Sequence, residues 1–279
     1  MNPKPVKTKR PVNDEATQLL LQQISHTQPT INLCRWLLEQ GADVDSCNKE
    51  SSYPPLMSAI RRGQVELAQL LLEYGASANK TSNNRVAPLI YAINNNHPKM
   101  IPLLIEYGAN IEAKDSQGST ALLIAAGSYN DKKCHIINAL LESGANVNAQ
   151  DNLGQTALMK TIIYDSWNAL HTILRYTPNI NIQDNRGNTA LIYAVNAGCV
   201  DIVQMLLEKG ADTQITNKNG ATARDIAIEY NSQYSHPDIA AMIDTEEKRR
   251  IIKAFQSAAE SGTPKTRKIV RRTHKKTSP

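Results

Sequence analysis

The chain has 279 residues, 41% of them hydrophobic, with a formal net charge of +5. No apolar run approaches the roughly 18 residues that a membrane-spanning helix needs, and the first dozen residues lack the apolar core of a secretory signal, so a soluble protein is expected. One Phe and two Trp argue against an aromatic-lined pocket and fit small apolar side chains packed in thin layers.

Residues 1–12 carry Lys4, Lys7, Lys9 and Arg10 among prolines, without an acid, and predict a disordered basic segment. From Asp14, the run ATQLLLQQIS predicts a helix, with residues 31–40 as its partner and Leu33, Leu37 and Leu38 on the apolar side. The next unit, near 49–81, predicts helices over 57–62 and 65–74. Its Pro55 falls at a first helical position, where the missing N–H costs nothing. The unit near 82–114 has a helix over 90–95 and His97 in the turn that follows. Pro102 lies in the first turn of its second helix and predicts a distorted start.

Units near 115–150, 151–183 and 184–216 open with one pattern, Asp-x-x-Gly-x-Thr-Ala-Leu, at Asp115, Asp151 and Asp184. Asp and Gly frame a tight turn, Thr supplies a helix N-cap oxygen, and a short helix starts at Ala. In the best-formed copy Ile202, Met205 and Leu206 share one face of a second helix, and Gly210 stands just past its end, where a left-handed backbone is expected. The unit near 115–150 is about three residues longer, a surplus assigned to the turn around Tyr129-Asn130-Asp131. The last unit, 217–244, opens with Asn217-x-x-Gly220-x-Thr222-Ala223. Residues 238–261 then read as helical, the part from 245 acting as a C-terminal cap, and 262–279 as a disordered basic tail.

Gly-Ala pairs begin at Gly41, Gly75, Gly108, Gly144 and Gly210, about 33 residues apart except for the last interval, which spans two units. The missing stop is Thr177-Pro178-Asn179. Two helices per unit at this period resemble the ankyrin repeat family, over residues 14–244. The family's usual Thr-Pro-Leu-His is here Thr-Ala-Leu, without the histidine; alanine is a better helix former, so the motif weakens more than the physics. The resemblance implies an all-α solenoid of six to seven helix-turn-helix units joined by β-hairpin-like turns, each packing on its neighbours without a central core.

Catalytic signatures are missing: there is no Gly-x-Gly-x-x-Gly, Gly-Lys-Ser/Thr, His-Glu-x-x-His or Gly-x-Ser-x-Gly. No enzyme activity, catalytic residue, cofactor or metal is expected. Cys34, Cys47, Cys134 and Cys199 have no chelating spacing and read as reduced, packed residues. His97 reads as a turn residue bonded to neighbouring backbone, and the adjacent Cys134 and His135 are poor chelating geometry.

The resemblance places a protein partner on the turn tips and the exposed side of the first helices. The candidate residues are Arg61, Arg62, Asn94, Asn95, Leu153, Ile163, Tyr164, Asn185, Arg186 and Asn196. Leu153 with Ile163 and Tyr164 reads either as an apolar anchor or as local packing that compensates an irregular unit. Tyr74, Tyr107 and Tyr176 share the slot before the Gly-Ala position, and read as covers for the next unit or as a binding stripe.

The tail, with Arg267, Lys268, Arg271, Arg272, Lys275 and Lys276, would attract polyanions, although it has no interleaved aromatics for base stacking. The function expected is a non-enzymatic protein–protein interaction scaffold or adaptor, monomeric and cytoplasmic, with no small-molecule substrate. The alternative is an adaptor carried to nucleic acid, the nucleus or an anionic membrane by its tail, or a secreted microbial effector delivered to a host cell.

Overall fold

The structure is a computed structural model that describes residues 11–26, 29–47, 53–81, 86–129, 133–229 and 236–260. The chain divides into two compact parts, Met1–Asn179 and Ile180–Pro279. The first holds five helical pairs: α1 (Asp14–Ser25) with α2 (Ile31–Glu39), α3 (Pro55–Arg61) with α4 (Val65–Glu73), α5 (Pro88–Asn94) with α6 (Met100–Glu106), α7 (Ala121–Ala126) with α8 (Cys134–Glu142), and α9 (Ala157–Ile163) with α10 (Trp167–Leu174). The second holds two pairs, α11 (Ala190–Asn196) with α12 (Val200–Glu208) and α13 (Ala223–Glu229) with α14 (Pro237–Glu260). Among the described residues the only strand-like pairing is one antiparallel bridge, Gln150 to Thr156. The fold is the all-α one expected.

Among the described residues, the hairpin turns at Asp115, Asp151, Asp184 and Asn217 are each built by a single carboxylate or amide oxygen. Asp115 Oδ1 accepts from the N–H groups of Gln117 and Ser119 at 2.9 and 2.8 Å, and Asp184 Oδ1 accepts from Arg186 and Asn188 at 2.9 and 2.8 Å. Asn217 does the same through its amide oxygen for Asn219 and Ala221. The turn then delivers the cap: Thr156 and Thr189 accept from Met159 N and Ile192 N at 3.3 Å, satisfying donors that a helix start leaves open.

Leu, Ile and Ala fill the space between helices. Leu56, Met57, Ile60, Leu67 and Leu71 in the second pair are wholly buried, as are Leu140, Ile173, Leu206 and others in equivalent places. Side-chain clamps tie one copy to the next along the loop edge. Asn79 Oδ1 takes the N–H of Asn110 at 2.9 Å, Asn148 Oδ1 that of Asn179 at 2.8 Å, and Asn181 Oδ1 that of Asp212 at 2.8 Å.

The second-helix stops adopt the left-handed backbone expected of them, with Gly75 at φ 93° and Gly210 at φ 95°. Thr177 occupies the same place at φ 47° although it is β-branched. Pro102 sits third in α6, which has seven residues where α2, α4, α8 and α12 have nine. Its start is tightened, with Met100 N and Ile101 N bonded three residues back to His97 O and Pro98 O.

Two expectations need correcting. Leu33, expected on the apolar side, is exposed, whereas Ile202 at the equivalent place is buried. In α4 the equivalent Leu67 is covered, but no helical pair precedes α2 among the described residues. The shared tyrosine slot faces backward, not forward. The Tyr74 hydroxyl donates to Glu39 of the preceding copy at 3.0 Å, and the Tyr176 hydroxyl to Asn138 of its preceding copy at 3.2 Å. The helix expected over 238–261 is present as α14, which runs unbroken from Pro237 to Glu260.

Candidate protein-interaction surface

The first-helix ends of the second and third copies separate the sequence candidates by what they already hold. The Arg62 guanidinium donates to three carbonyls at the end of α1: Ile24, Ser25 at 2.8 Å and His26 at 3.1 Å. It satisfies orphan acceptors at a helix C-terminus, so Arg62 staples the second copy to the first. Arg61 is exposed, with its guanidinium 6.0 Å from the centre of the Tyr53 ring. Tyr53 in turn lies 5.9 Å from Tyr91, whose hydroxyl is pushed above its usual pKa by burial and by the neighbouring phenol. Asn94 is exposed, whereas Asn95 is half-buried and its amide donates to Tyr91 O at 2.8 Å.

The irregular fifth copy does not assemble one apolar patch. Leu153 is 62% exposed at the hairpin tip, before α9, and Ile163 is 40% exposed at the far end of that helix. Seven residues of helix put about 10 Å between them. Tyr164 leans back on the fourth copy, stacked edge-on against Tyr129 at 4.9 Å. The Ser166 hydroxyl donates to Ser128 O at 2.9 Å beside it. Tyr164 thus packs locally, while Leu153 and Ile163 face solvent apart from each other. Trp167, at the start of α10, is 39% exposed and was not singled out from the sequence. The available signal was a tryptophan in the slot that Val65 and Val200 hold in other copies.

His97 performs a packing task. Its ring lies over Gly63 of the preceding copy, and its Nε2 is 3.4 Å from Arg61 O. His236 covers Gly198 in the same manner. Cys34 is buried, and desolvation raises its thiol pKa, which makes it a poor nucleophile. Among the described residues no cluster of three His, Cys, Asp or Glu is placed to hold a metal, and no helix is long and apolar enough to cross a membrane.

In the second part, two of the three sequence candidates converge. Arg186 and Asn196 line a groove of about 530 Å³ together with Asn188, Asn217, Lys218, Asn219, Ala221 and Ile226. It runs between the hairpin tips and the first helices of two adjacent copies. Asn185, exposed on the tip beside Arg186, is not part of its lining. The tips at Glu50-Ser51 and Asn83-Asn84, the N-terminal segment 1–10, and the tail cations Arg267, Lys268, Arg271, Arg272, Lys275 and Lys276 lie outside the described residues.

Comparison with known proteins agrees with this architecture. The family model described as ankyrin repeats (3 copies) matches residues 20–115, 75–151, 122–217 and 164–243. No curated protein matches the chain in sequence. Among solved structures, the fold is similar to the ankyrin repeat domain of Bcl-3, described as a unique member of the IkappaB protein family. The TM-score is 0.68 and the identity 24%, covering 79% of this chain and 96% of that one. With turn, capped helix, second helix and glycine stop repeated across residues 20–243, the chain belongs to the ankyrin repeat family, whose repeats form protein–protein interaction modules.

Proposed function

We propose that the protein is a non-enzymatic scaffold or adaptor that binds another protein on its turn tips and first-helix surface. The observation that carries this reading is the division of labour within each copy. Residues that stack the copies, such as Asp184, Thr189, Leu191 and Ile192, are buried, whereas Arg61, Asn94, Leu153, Ile163, Arg186 and Asn196 are exposed. Holding the stack together does not require the latter set, so they are free for recognition. An interface anchored by a few exposed apolar and amide side chains within a polar surround fits this composition.

The test is affinity capture with the wild type against two variants, Leu153→Asp/Ile163→Asp and Asn196→Arg, each first shown to keep its helical signal. Loss of one or more partners in either variant supports the reading. An identical partner list across all three removes it.

A second reading is favoured by α14, where Ile251 and Ile252 are 45% and 56% exposed between Arg249, Arg250 and Lys253. With seven basic residues and no acid in 262–279, this end of the chain has the composition of a polyanion contact. Deleting 262–279 is expected to weaken heparin binding and flatten its salt dependence; unchanged binding would discard the tail as its source.

A further inference from the structure

We propose that the groove between the last two hairpin tips takes an acidic, extended segment of a partner protein, an inference that rests on reading the tip and first-helix surface as the binding face. Arg186 and Lys218 stand exposed on adjacent tips, and the backbone N–H of Lys218 donates to Arg186 O at 2.9 Å. That bond holds the two cations in register. Neither side chain forms an ion pair or hydrogen bond with another described residue, and no carboxylate lines the groove.

The neighbouring acids are engaged elsewhere. Asp184 is buried, with Oδ1 accepting from two backbone N–H groups and Oδ2 from the Tyr193 hydroxyl at 2.6 Å. Asp225 Oδ2 accepts from Thr222 N at 2.9 Å and from its hydroxyl at 2.7 Å. The cations are therefore the charges left facing an incoming ligand.

The remaining lining selects a peptide over a nucleic acid. The Asn196 and Asn219 side chains each offer an amide donor and acceptor, the pair that an extended backbone's C=O and N–H require. Ala221 and Ile226 provide the apolar part of the lining, suited to a small aliphatic side chain between two acidic ones. No aromatic ring lines the groove for base stacking, and two cations are few for a phosphate chain.

A random peptide library panned on the immobilised full chain tests this, with Arg186→Glu/Lys218→Glu and Asn196→Trp as comparison baits. The basic tail is common to all three and cancels in the differences. The expected result is recovery of sequences with paired Asp or Glu around an aliphatic residue, bound about tenfold more weakly by the charge-reversed variant, which itself recovers Lys- and Arg-rich sequences. Recovery without acidic enrichment, equal retention of acidic peptides by the charge-reversed variant, or no recovery at all overturns the proposal. If the recovered peptides are blind to charge reversal but lost on Asn196→Trp, the binding face stands and only the acidic class falls. If neither variant changes binding, the groove is lost with it. Single-stranded DNA that displaces acidic peptides and depends more strongly on Arg186 and Lys218 would also overturn the proposal and mark a polyanion site.

Discussion

Lys160 Nζ lies 2.8 Å from Asp151 Oδ2, and the two side chains are only 12% and 4% exposed. The other oxygen of Asp151 holds the hairpin, accepting from Leu153 N and Gln155 N at 2.9 Å each. The next copy solves the same problem without a charge pair: Tyr193, at the position of Lys160, donates its hydroxyl to Asp184 Oδ2.

Removing Lys160 should therefore strand a buried carboxylate. Lys160→Met is expected to cost about 3 kcal/mol, as for other buried pairs broken from one side. Lys160→Tyr, which installs the neighbouring copy's partner, should cost less than about 1 kcal/mol. Urea unfolding with helical signal as readout checks both, and equal losses in the two variants would show that the ion pair carries no special weight.

Thr177 holds a left-handed backbone that glycine holds in five other copies. A β-branched side chain there costs roughly 1–2 kcal/mol, part of which glycine returns through greater freedom of the unfolded chain. Thr177→Gly is expected to raise the Tm by about 2 °C, reflecting a net gain near 0.5–1 kcal/mol. A lower Tm would mean that the threonine side chain makes a contact worth more than the strain.

The ring of His97 limits what Gly63 can become. A Cβ at Gly63, already at φ 67°, would stand 2.8 Å from His97 Cε1. Gly63→Ala should destabilise by roughly 2 kcal/mol, combining the backbone and steric penalties. Adding His97→Ala should return part of that loss, and a double-mutant cycle reads the coupling directly. Strict additivity would show that the strain is all backbone.

The last pair is tied by Arg224, whose Nε and a terminal nitrogen meet Asp244 Oδ1 and Oδ2 at 2.5 and 3.2 Å. The hydrogen bond from Arg224 holds the Asp244 carboxyl below its usual pKa, with a further coulombic contribution from the same guanidinium. The folded protein thus keeps this charge to lower pH than the unfolded chain does. The stabilisation is present above the ordinary aspartate pKa of about 3.9 and is lost as pH falls through the lowered folded-state value. The pair is more than a third exposed, so Asp244→Asn should cost no more than about 0.5 kcal/mol at pH 7. Its stability should fall less steeply than the wild type's as pH drops from 5 towards 2, measured by urea midpoints at each pH. Parallel profiles would contradict this assignment.

The repeat was legible in the sequence because its signals are local. Asp, Gly and Thr at fixed spacing build a turn and a cap from bonds within a few residues, and the helix starts at Ala157 and Ala190 follow from them. The left-handed stop at Gly210 and the tightened start before Pro102 were likewise properties of short stretches. What a side chain touches across copies was not legible, since the partner lies some 30 residues away and depends on packing. That is why Arg62 belongs to the end of α1, why Tyr164 rests on Tyr129, and why the tyrosine slot points to the preceding copy. Arg186, Asn196 and Lys218 could each be named as exposed from the pattern alone, but only the stacking of two copies makes them one groove. The sequence by itself determined the unit and its period, through bonds short enough to be written in a single copy. The tertiary structure decided which exposed residues are already occupied and which remain open to a partner, because burial and pairing are properties of neighbours.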